Sequence, residues 1–495
     1  MHAESALAEH RQLIAGLQRT LSMDGMAVET IETHGATVLL AGDHAYKLKK
    51  PVDLGFLDYS TLALRQHYCR EELRLNRRLA PDLYLAVLPV TGTPDEPELG
   101  GSGPVLDHAV QMRRFPTEAR LDRVLERGEL KPPDMEALAQ AMVSFHQTCA
   151  PLANDHPLHS VSAITAPLLD NLEDCRRLLP GGVQLEQVLD WFPREHDRLQ
   201  TLVSERLHSG RVRECHGDLH LANMYREGGA IHFFDGIEFS EPLRYIDVMN
   251  EVAFVAMDLD ARGSPDLGAL LTSHYLECGG DYRGLPLLLL FKCYRALVRA
   301  KVNAIHARAG GGEQAGQEAV RYLSLAAHYT EPRKPTLWIM GGLSGSGKST
   351  RALALVEQTG AVRIRSDVER KRLFGLAADA RTDAPAGGGI YGPEAGEQTY
   401  QRLADLARGI LACGSSVIVD AANLRRSERA RFRALASTGG WSSRLVWCEA
   451  DENTLRQRLR QRAQLGKDPS EATTAVLERQ LQMVEPPTAE ETDPA

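Results

Sequence analysis

Leu337-Trp338-Ile339-Met340, followed by Gly342-Leu343-Ser344-Gly345-Ser346-Gly347-Lys348-Ser349, decides how the last third of this chain folds. A short apolar run feeds GxxxxGK[ST], and residues 349–358 carry helical periodicity. In that strand–loop–helix setting the glycines let successive backbone N–H groups turn inward around phosphate oxygens. The helix N-terminus adds the positive end of its dipole. Lys348 then reaches the β- and γ-phosphates, and the Ser349 hydroxyl is a magnesium ligand. The expected ATP contacts are Gly342, Leu343, Ser344, Gly345, Ser346, Gly347, Lys348, Ser349 and Thr350.

Downstream, strand-like Ala361–Arg365, Ser416–Asp420 and Arg444–Cys448 alternate with helical Ser349–Gln358, Glu394–Cys413 and Ser427–Ala436. That alternation reads as an α/β fold with a parallel sheet. Asp420 ends a β-branched strand, where a phosphate-loop protein keeps its magnesium-coordinating acid. Asp367 follows the second strand and reads equally as a proton acceptor for an attacking hydroxyl or as a helix N-cap. In Leu455–Arg462 the arginines alternate. Arg456 and Arg460 share one helix face and are expected over the phosphates, with Arg458 and Arg462 on another face as their rivals.

These features resemble the small phosphate-loop kinases of the polynucleotide kinase, gluconate kinase and zeta-toxin kind, over residues 336 to about 480. Ala422 stands where polynucleotide kinases commonly carry a threonine, which speaks against a nucleic-acid end as substrate. The loop Ala377–Gly389 reads either as a cover over an acceptor pocket or as an insertion.

Outward from this segment, Glu331-Pro332-Arg333-Lys334-Pro335 forms a seam. The 495 residues divide there into 1–330 and 336–484, with the Pro- and acid-rich 485–495 expected as a disordered tail. Residues 28–115 look β-rich, and those from 134 mostly helical. Net charge is −9, and 336–495 hold 22 basic against 20 acidic residues, so the first 335 carry −11. With a near-neutral C-terminal part, no long nucleic-acid track is expected. Eight cysteines are scattered without CxxC, the usage of a reducing compartment. MHAESALAEHRQL lacks the apolar core of a secretory signal, and no apolar run is long enough to span a bilayer. The expectation is a cytoplasmic protein without membrane partners.

Cys215-His216-Gly217-Asp218-Leu219-His220-Leu221-Ala222-Asn223 holds the second motif. An acid and an amide five residues apart suit phosphoryl transfer to a hydroxyl. Asp218 orients and deprotonates the acceptor, and Asn223 holds magnesium. Ile231-His232-Phe233-Phe234 then ends in Asp235, placed as the second magnesium-binding carboxylate.

This stretch resembles the aminoglycoside phosphotransferase and choline kinase superfamily, over about 28–330. The resemblance implies a two-lobed α+β protein-kinase-like fold. It makes Lys47 the lysine that holds the α/β-phosphates, with Lys49 as rival, and Glu72 its helix partner, with Glu71 as rival. Gln111–Phe115, with Met112 as its ATP contact, corresponds to the adenine-binding hinge, and Arg244 and Asp247 to braces of the catalytic loop. Two departures stand out: His34-Gly35-Ala36 is poor in glycine, and Asp235 is followed by Gly-Ile-Glu-Phe rather than a tryptophan–acid pair. Antibiotic specificity is therefore not implied. The pairing of both units resembles a bacterial group of aminoglycoside phosphotransferase-like proteins fused to a P-loop ATP-binding domain of the AAA family. It implies an ATP- and Mg2+-dependent phosphotransferase with two nucleotide sites, acting on a small hydroxylated molecule. In the competing readings the C-terminal domain is a nucleotide sensor or a polynucleotide-type 5′-hydroxyl kinase.

Overall fold

A computed structural model describes every residue except Met1, 23–26, Phe56, 379, 383–387, 466–469 and 493–495. The chain forms two compact units. One comprises Met1–Lys131, Ser144–Asp170 and Gln200–Val255, the other Pro132–Val143, Asn171–Leu199 and Ala256–Ala495.

In the first unit, β1 (Val28–Glu32), β2 (Ala36–Ala41), β3 (His44–Lys49), β4 (Tyr84–Gly92), β5 (Pro97–Leu99) and β6 (Val105–Arg113) form an antiparallel sheet ordered β1-β2-β3-β6-β4-β5. The β-branched and leucine-rich strands alternate faces, so each face builds its own core. Leu39, Leu48, Val90 and Ala109 pack with Leu13, Ile14 and Leu17 of the helix His2–Ser22. Leu40, Ala45, Val110 and Met112 pack with Cys69 of the helix Leu62–Asn76. That second face also carries Lys47 and Lys49, two and four residues beyond Ala45.

The helix Leu62–Asn76 starts at Thr61, whose hydroxyl accepts the Leu64 amide at 3.2 Å. Its buried stripe is Arg65, Cys69, Glu72, Leu75 and Asn76, so Glu72 faces the sheet. β7 (Val212–Glu214) pairs with β10 (Tyr245–Asp247), and β8 (Met224–Glu227) with β9 (Ala230–Phe233). The HGDxHxxN stretch is the loop between β7 and β8, and Asp235 follows β9.

The second unit contains β11 (Thr336–Gly341), β12 (Val362–Arg365), β13 (Val417–Asp420) and β14 (Ser442–Trp447), parallel and ordered β12-β13-β11-β14. β13 is buried along its whole length, as a strand covered on both faces should be. The expected α/β alternation is present, with helices Lys348–Thr359, Pro393–Ala412 and Arg426–Gly439 between the strands.

Everything from Ala256 onward groups with the C-terminal sheet in the second compact unit. β12 is an edge strand, and the Arg363 amide finds its acceptor in Ser273 Oγ at 3.0 Å, on the helix Pro265–Gly279. Residues 485–492, part of the stretch expected as a disordered tail, include the helix Ala489–Thr492. Buried Arg429 requires an anion, and Glu491 accepts its Nε at 2.8 Å and its Nη2 at 3.1 Å. Of the loop 377–389, residues 379 and 383–387 lie outside the described residues. Among the described residues no helix is long and apolar enough to cross a membrane.

Candidate active sites

Glu72 is fully buried and holds two lysines, one on each carboxylate oxygen. Lys47 Nζ donates to Oε1 and Lys49 Nζ to Oε2, both at 2.8 Å. Lys47 also pairs with Asp235, and Lys49 with Glu238, which accepts the Tyr59 hydroxyl at 2.5 Å. The two lysines thus have different duties: Lys47 reaches the Asp235 loop, and Lys49 is locked in a buried cluster. Glu71 points elsewhere, to Arg74 at 2.8 Å. Burial raises the Glu72 carboxyl, but the two lysines outweigh it and hold the group down at about 2. Burial likewise works against the Lys47 charge, and Asp235 and Glu72 overcome it, so its pKa stands well above the ordinary lysine value.

Asp218 and Asn223 meet as their spacing implies. Asn223 Nδ2 donates to the Asp218 carbonyl at 3.0 Å and to its Oδ2 at 3.1 Å. The Asp235 loop is stitched to this one. Phe234 N donates to Asn223 O at 3.0 Å, and Ile237 N to His216 O at 2.9 Å. His216 Nε2 donates to Phe234 O at 2.8 Å, while its Nδ1 accepts Asp218 N at 3.3 Å. Those roles require the neutral ring, and burial lowers the His216 pKa to match.

Asp235 sits at φ 65°, in the left-handed region. Its amide donates to Tyr84 Oη at 3.0 Å, and the Gly236 amide to Asn76 Oδ1 at 2.8 Å. Gly217 (φ 85°) donates to Glu251 Oε1 at 2.6 Å, and Glu251 Oε2 takes His146 Nε2 at 2.9 Å. His146, Cys215 and Glu251 bring three donor atoms within 4.8 Å of one another, but these bonds already engage both Glu251 oxygens.

Arg244 and Asp247 are buried with different partners. Arg244 reaches Glu214 Oε1 at 3.2 Å and its carbonyl accepts the Cys215 amide at 2.8 Å, which braces the loop. Asp247 takes Arg206 through bonds of 2.6 and 2.7 Å. Met112 lies in interior strand β6, opposite Ala45 and Tyr84, with its side chain in the sheet core. The next two amides, Arg113 and Arg114, donate to Leu83 O and Asp43 O at 2.8 and 2.7 Å. Phe115 then stacks on Tyr225 with ring centres 4.4 Å apart.

In the second unit, residues 342–347 turn between β11 and the helix Lys348–Thr359. Gly342, Gly345 and Gly347 adopt φ of 130°, 87° and 94°. A Cβ at Gly342 would lie 2.2 Å from Cys448 O, so only glycine fits there. Lys348 Nζ folds back to the carbonyls of Gly342 and Leu343, both at 2.8 Å. Burial lowers its pKa against the pull of nearby Asp420. Ser349 is half-buried in the first helical turn and Thr350 is exposed. The Ser344 amide donates to Gln480 Oε1 at 2.8 Å, a partner from the helix Thr474–Met483 that no motif announced.

Asp420 Oδ2 and Ser346 Oγ are buried and have no hydrogen-bond partner among the described residues. An unpartnered carboxylate oxygen beside a glycine-built anion cradle is the chemistry that a nucleotide with a divalent cation fits. Asp367 lies inside the first turn of the helix Ser366–Leu373, whose N-cap is Arg365, so the capping alternative does not hold. Arg370 Nη1 contacts Asp367 Oδ1 at 3.5 Å.

The arginines of the helix Glu452–Leu465 make different contacts. Arg456 is drawn to Glu452 and Glu478 at 2.8 and 3.2 Å, and Arg460 is exposed. Arg458, exposed like Arg460, donates to Gly345 O at 3.1 Å. The reason is helix phase: Leu455 and Leu459 pack on Leu477, which fixes the face that each arginine occupies.

The AAA domain family matches residues 337–487. Over 456 residues the chain is 31% identical to the uncharacterized protein Rv2004c of Mycobacterium tuberculosis, which covers 91% of this chain and 89% of that protein. Among solved structures, a choline/ethanolamine kinase family protein from Mesorhizobium loti matches with a TM-score of 0.42 and 12% identity, covering 70% of this chain and 99% of its own. A gluconokinase from Sinorhizobium meliloti matches with a TM-score of 0.23 and 25% identity, covering 32% and 81%.

Proposed function

The chain belongs to one family with the mycobacterial protein Rv2004c, and on that premise we propose that it is an ATP-dependent phosphotransferase with two nucleotide sites. In the first unit it transfers the γ-phosphoryl group to a hydroxyl of a small molecule. The observation that carries this reading is Lys47, joined at once to Glu72 and to Asp235 while Asn223 holds Asp218. Lys47 holds the phosphates, and Asp218 accepts the proton of the attacking hydroxyl. Asn223 and Asp235 would hold magnesium, which when bound neutralises charge on the phosphates. In the second unit the loop amides and Lys348 hold phosphate, Ser349 and Asp420 would hold the cation, and Asp367 is the base. A cytoplasmic site of action, where ATP is available, goes with this reading.

The reading is tested by incubating the full chain with γ-labelled ATP and pooled hydroxylated metabolites. Label transferred by the wild type and lost in Asp218→Asn supports it; equal transfer by both refutes it.

A second reading, in which the phosphate loop senses nucleotide and gates the first unit, is favoured by Gln480 on the Ser344 amide. A side chain that phosphate must displace suits a switch. In that case Lys348→Ala changes the rate of the Asp218-dependent transfer.

A further inference from the structure

Three segments far apart in the chain meet on Lys49. Its ammonium donates to Glu72 Oε2 at 2.8 Å, pairs with Glu238, and lies 4.7 Å from the centre of the Tyr59 ring. The Tyr59 hydroxyl donates to the same Glu238 oxygen at 2.5 Å, which fixes that carboxylate in turn. Lys49, Glu72, Glu238 and Tyr59 are all buried. Glu238 stands three residues after Asp235, and Arg244 Nη1 donates to its carbonyl at 3.2 Å. Lys49 therefore ties the helix Leu62–Asn76 to the turn that carries Asp235.

Lys47, two residues earlier on the same strand face, is more open. Its side chain is 13% exposed and that of its partner Asp235 44%, against 1% for Lys49 and 6% for Glu238. A phosphate can thus reach Lys47 by displacing Asp235, whereas it cannot reach Lys49. Without the Lys49 charge, Glu72 Oε2 and Glu238 become buried carboxylate oxygens short of a cation. Lys47 is then the remaining ammonium on Glu72. Burial opposes the Lys47 charge, and Glu238 is already among the carboxylates that offset it. Lys47 would be drawn inward, away from Asp235 and from phosphate. Tyr59, Tyr84 and Cys69 border the cluster as well, but burial raises the pKa of each, so none brings a charge at neutral pH.

We propose that Lys49 is a positioning residue of the nucleotide site in the first unit: it fixes Glu72 and the Asp235–Glu238 turn, so that Lys47 alone exchanges Asp235 for phosphate. The inference rests on reading Lys47 as the phosphate-holding lysine. Lys49 does not touch the nucleotide, and acts through the two glutamates.

The test uses an acyl phosphate of ATP, in which a carboxylic acid is joined to the γ-phosphate. A lysine at the phosphates attacks the acyl carbonyl, forms an amide and releases ATP. Peptide masses from the full chain then show which lysine was modified. In the wild type Lys47 takes the acyl group, excess ATP prevents this, and Lys49 stays unmodified. In Lys49→Met the ATP-protected labelling of Lys47 falls roughly tenfold, because small displacements of a positioned group are that costly. A Lys49→Met protein that melts earlier but labels Lys47 at the full rate overturns the proposal, since a merely structural lysine gives that result. ATP-protected acylation of Lys49 in the wild type, beside Lys47 or in its place, overturns it as well. If Lys49→Met does not fold, Glu238→Gln decides. That variant keeps an acceptor for Tyr59 but removes a charge that holds Lys49, so labelling of Lys47 must fall, and an unchanged rate contradicts the role of Lys49. ATP-protected labelling of neither lysine in the wild type is a different failure, and refutes the reading of the first nucleotide site itself.

Discussion

Lys47 and Asp235 lie 188 residues apart in the chain and are joined by a salt bridge inside the first unit. Asp235 makes that contact from a left-handed backbone, φ 65°, which costs a non-glycine residue of order 1 kcal/mol. Tyr84 and Asn76 hold the strained turn through the Asp235 and Gly236 amides. The lysine expected at the phosphates and the acid expected at the metal are therefore positioned by each other.

The Glu72 hub gives a pH signature. A folded-state carboxyl at about 2 against an ordinary 4.5 means that its stabilisation is fully present above pH 4.5 and is lost as pH falls through about 2. Glu72→Gln leaves two buried ammonium groups short of an anion, and should cost about 3–5 kcal/mol at neutral pH. Urea unfolding at a series of pH values checks this. The gap between wild type and variant should be constant above pH 4.5 and narrow toward pH 2; a gap of the same size throughout contradicts it.

Gly217 should tolerate no side chain. At φ 85° its Cβ would meet Leu243 O at 2.8 Å, and the strain would shift Asp218 next to it. Gly217→Ala should destabilise the protein by about 1–3 kcal/mol and lower the Asp218-dependent rate. Gly228→Ala is the control, since its φ is 58° but nothing lies within 4 Å of the added Cβ. It should lose about 1 kcal/mol or less and keep its rate. Thermal melts beside rate measurements distinguish the two.

Arg458, and not Arg456, should matter to the phosphate loop. Arg458→Ala should reduce turnover at that site by about a hundredfold. Arg456→Ala removes a surface pair with Glu452 and Glu478 and should leave turnover intact, with a stability change of about 1 kcal/mol or less. Steady-state rates of the two single variants are sufficient.

What was readable in the sequence follows from how locally each feature is determined. Gly342 to Ser349 and His216 to Asn223 are short segments whose backbone geometry demands particular residue types at fixed spacing, so they stand out unaligned. The choice between Glu71 and Glu72 depends instead on helix phase, and the buried stripe of Leu62–Asn76 hides it because Arg65, Glu72 and Asn76 are polar. Lys47 and Lys49 share a strand face and are both used, so alternation was bound to leave them tied. Arg458 took its place from Leu455 and Leu459 packing on a distant helix, which four-residue spacing within one helix does not reveal. Glu277, Gln480 and Glu491 answer needs of groups 62 to 136 residues away, and no local pattern marks such partners.

The measurement that goes to the centre of the account is ATP turnover by the wild type, Asp218→Asn, Lys348→Ala and the double variant, with and without pooled hydroxylated metabolites. Two sites predict that each single change removes its own acceptor-stimulated share, that Asp218→Asn loses its share by about a hundredfold or more, and that the double variant is silent. Full turnover in the double variant, or the same loss from either single change as from both, would contradict two separate phosphotransferase sites.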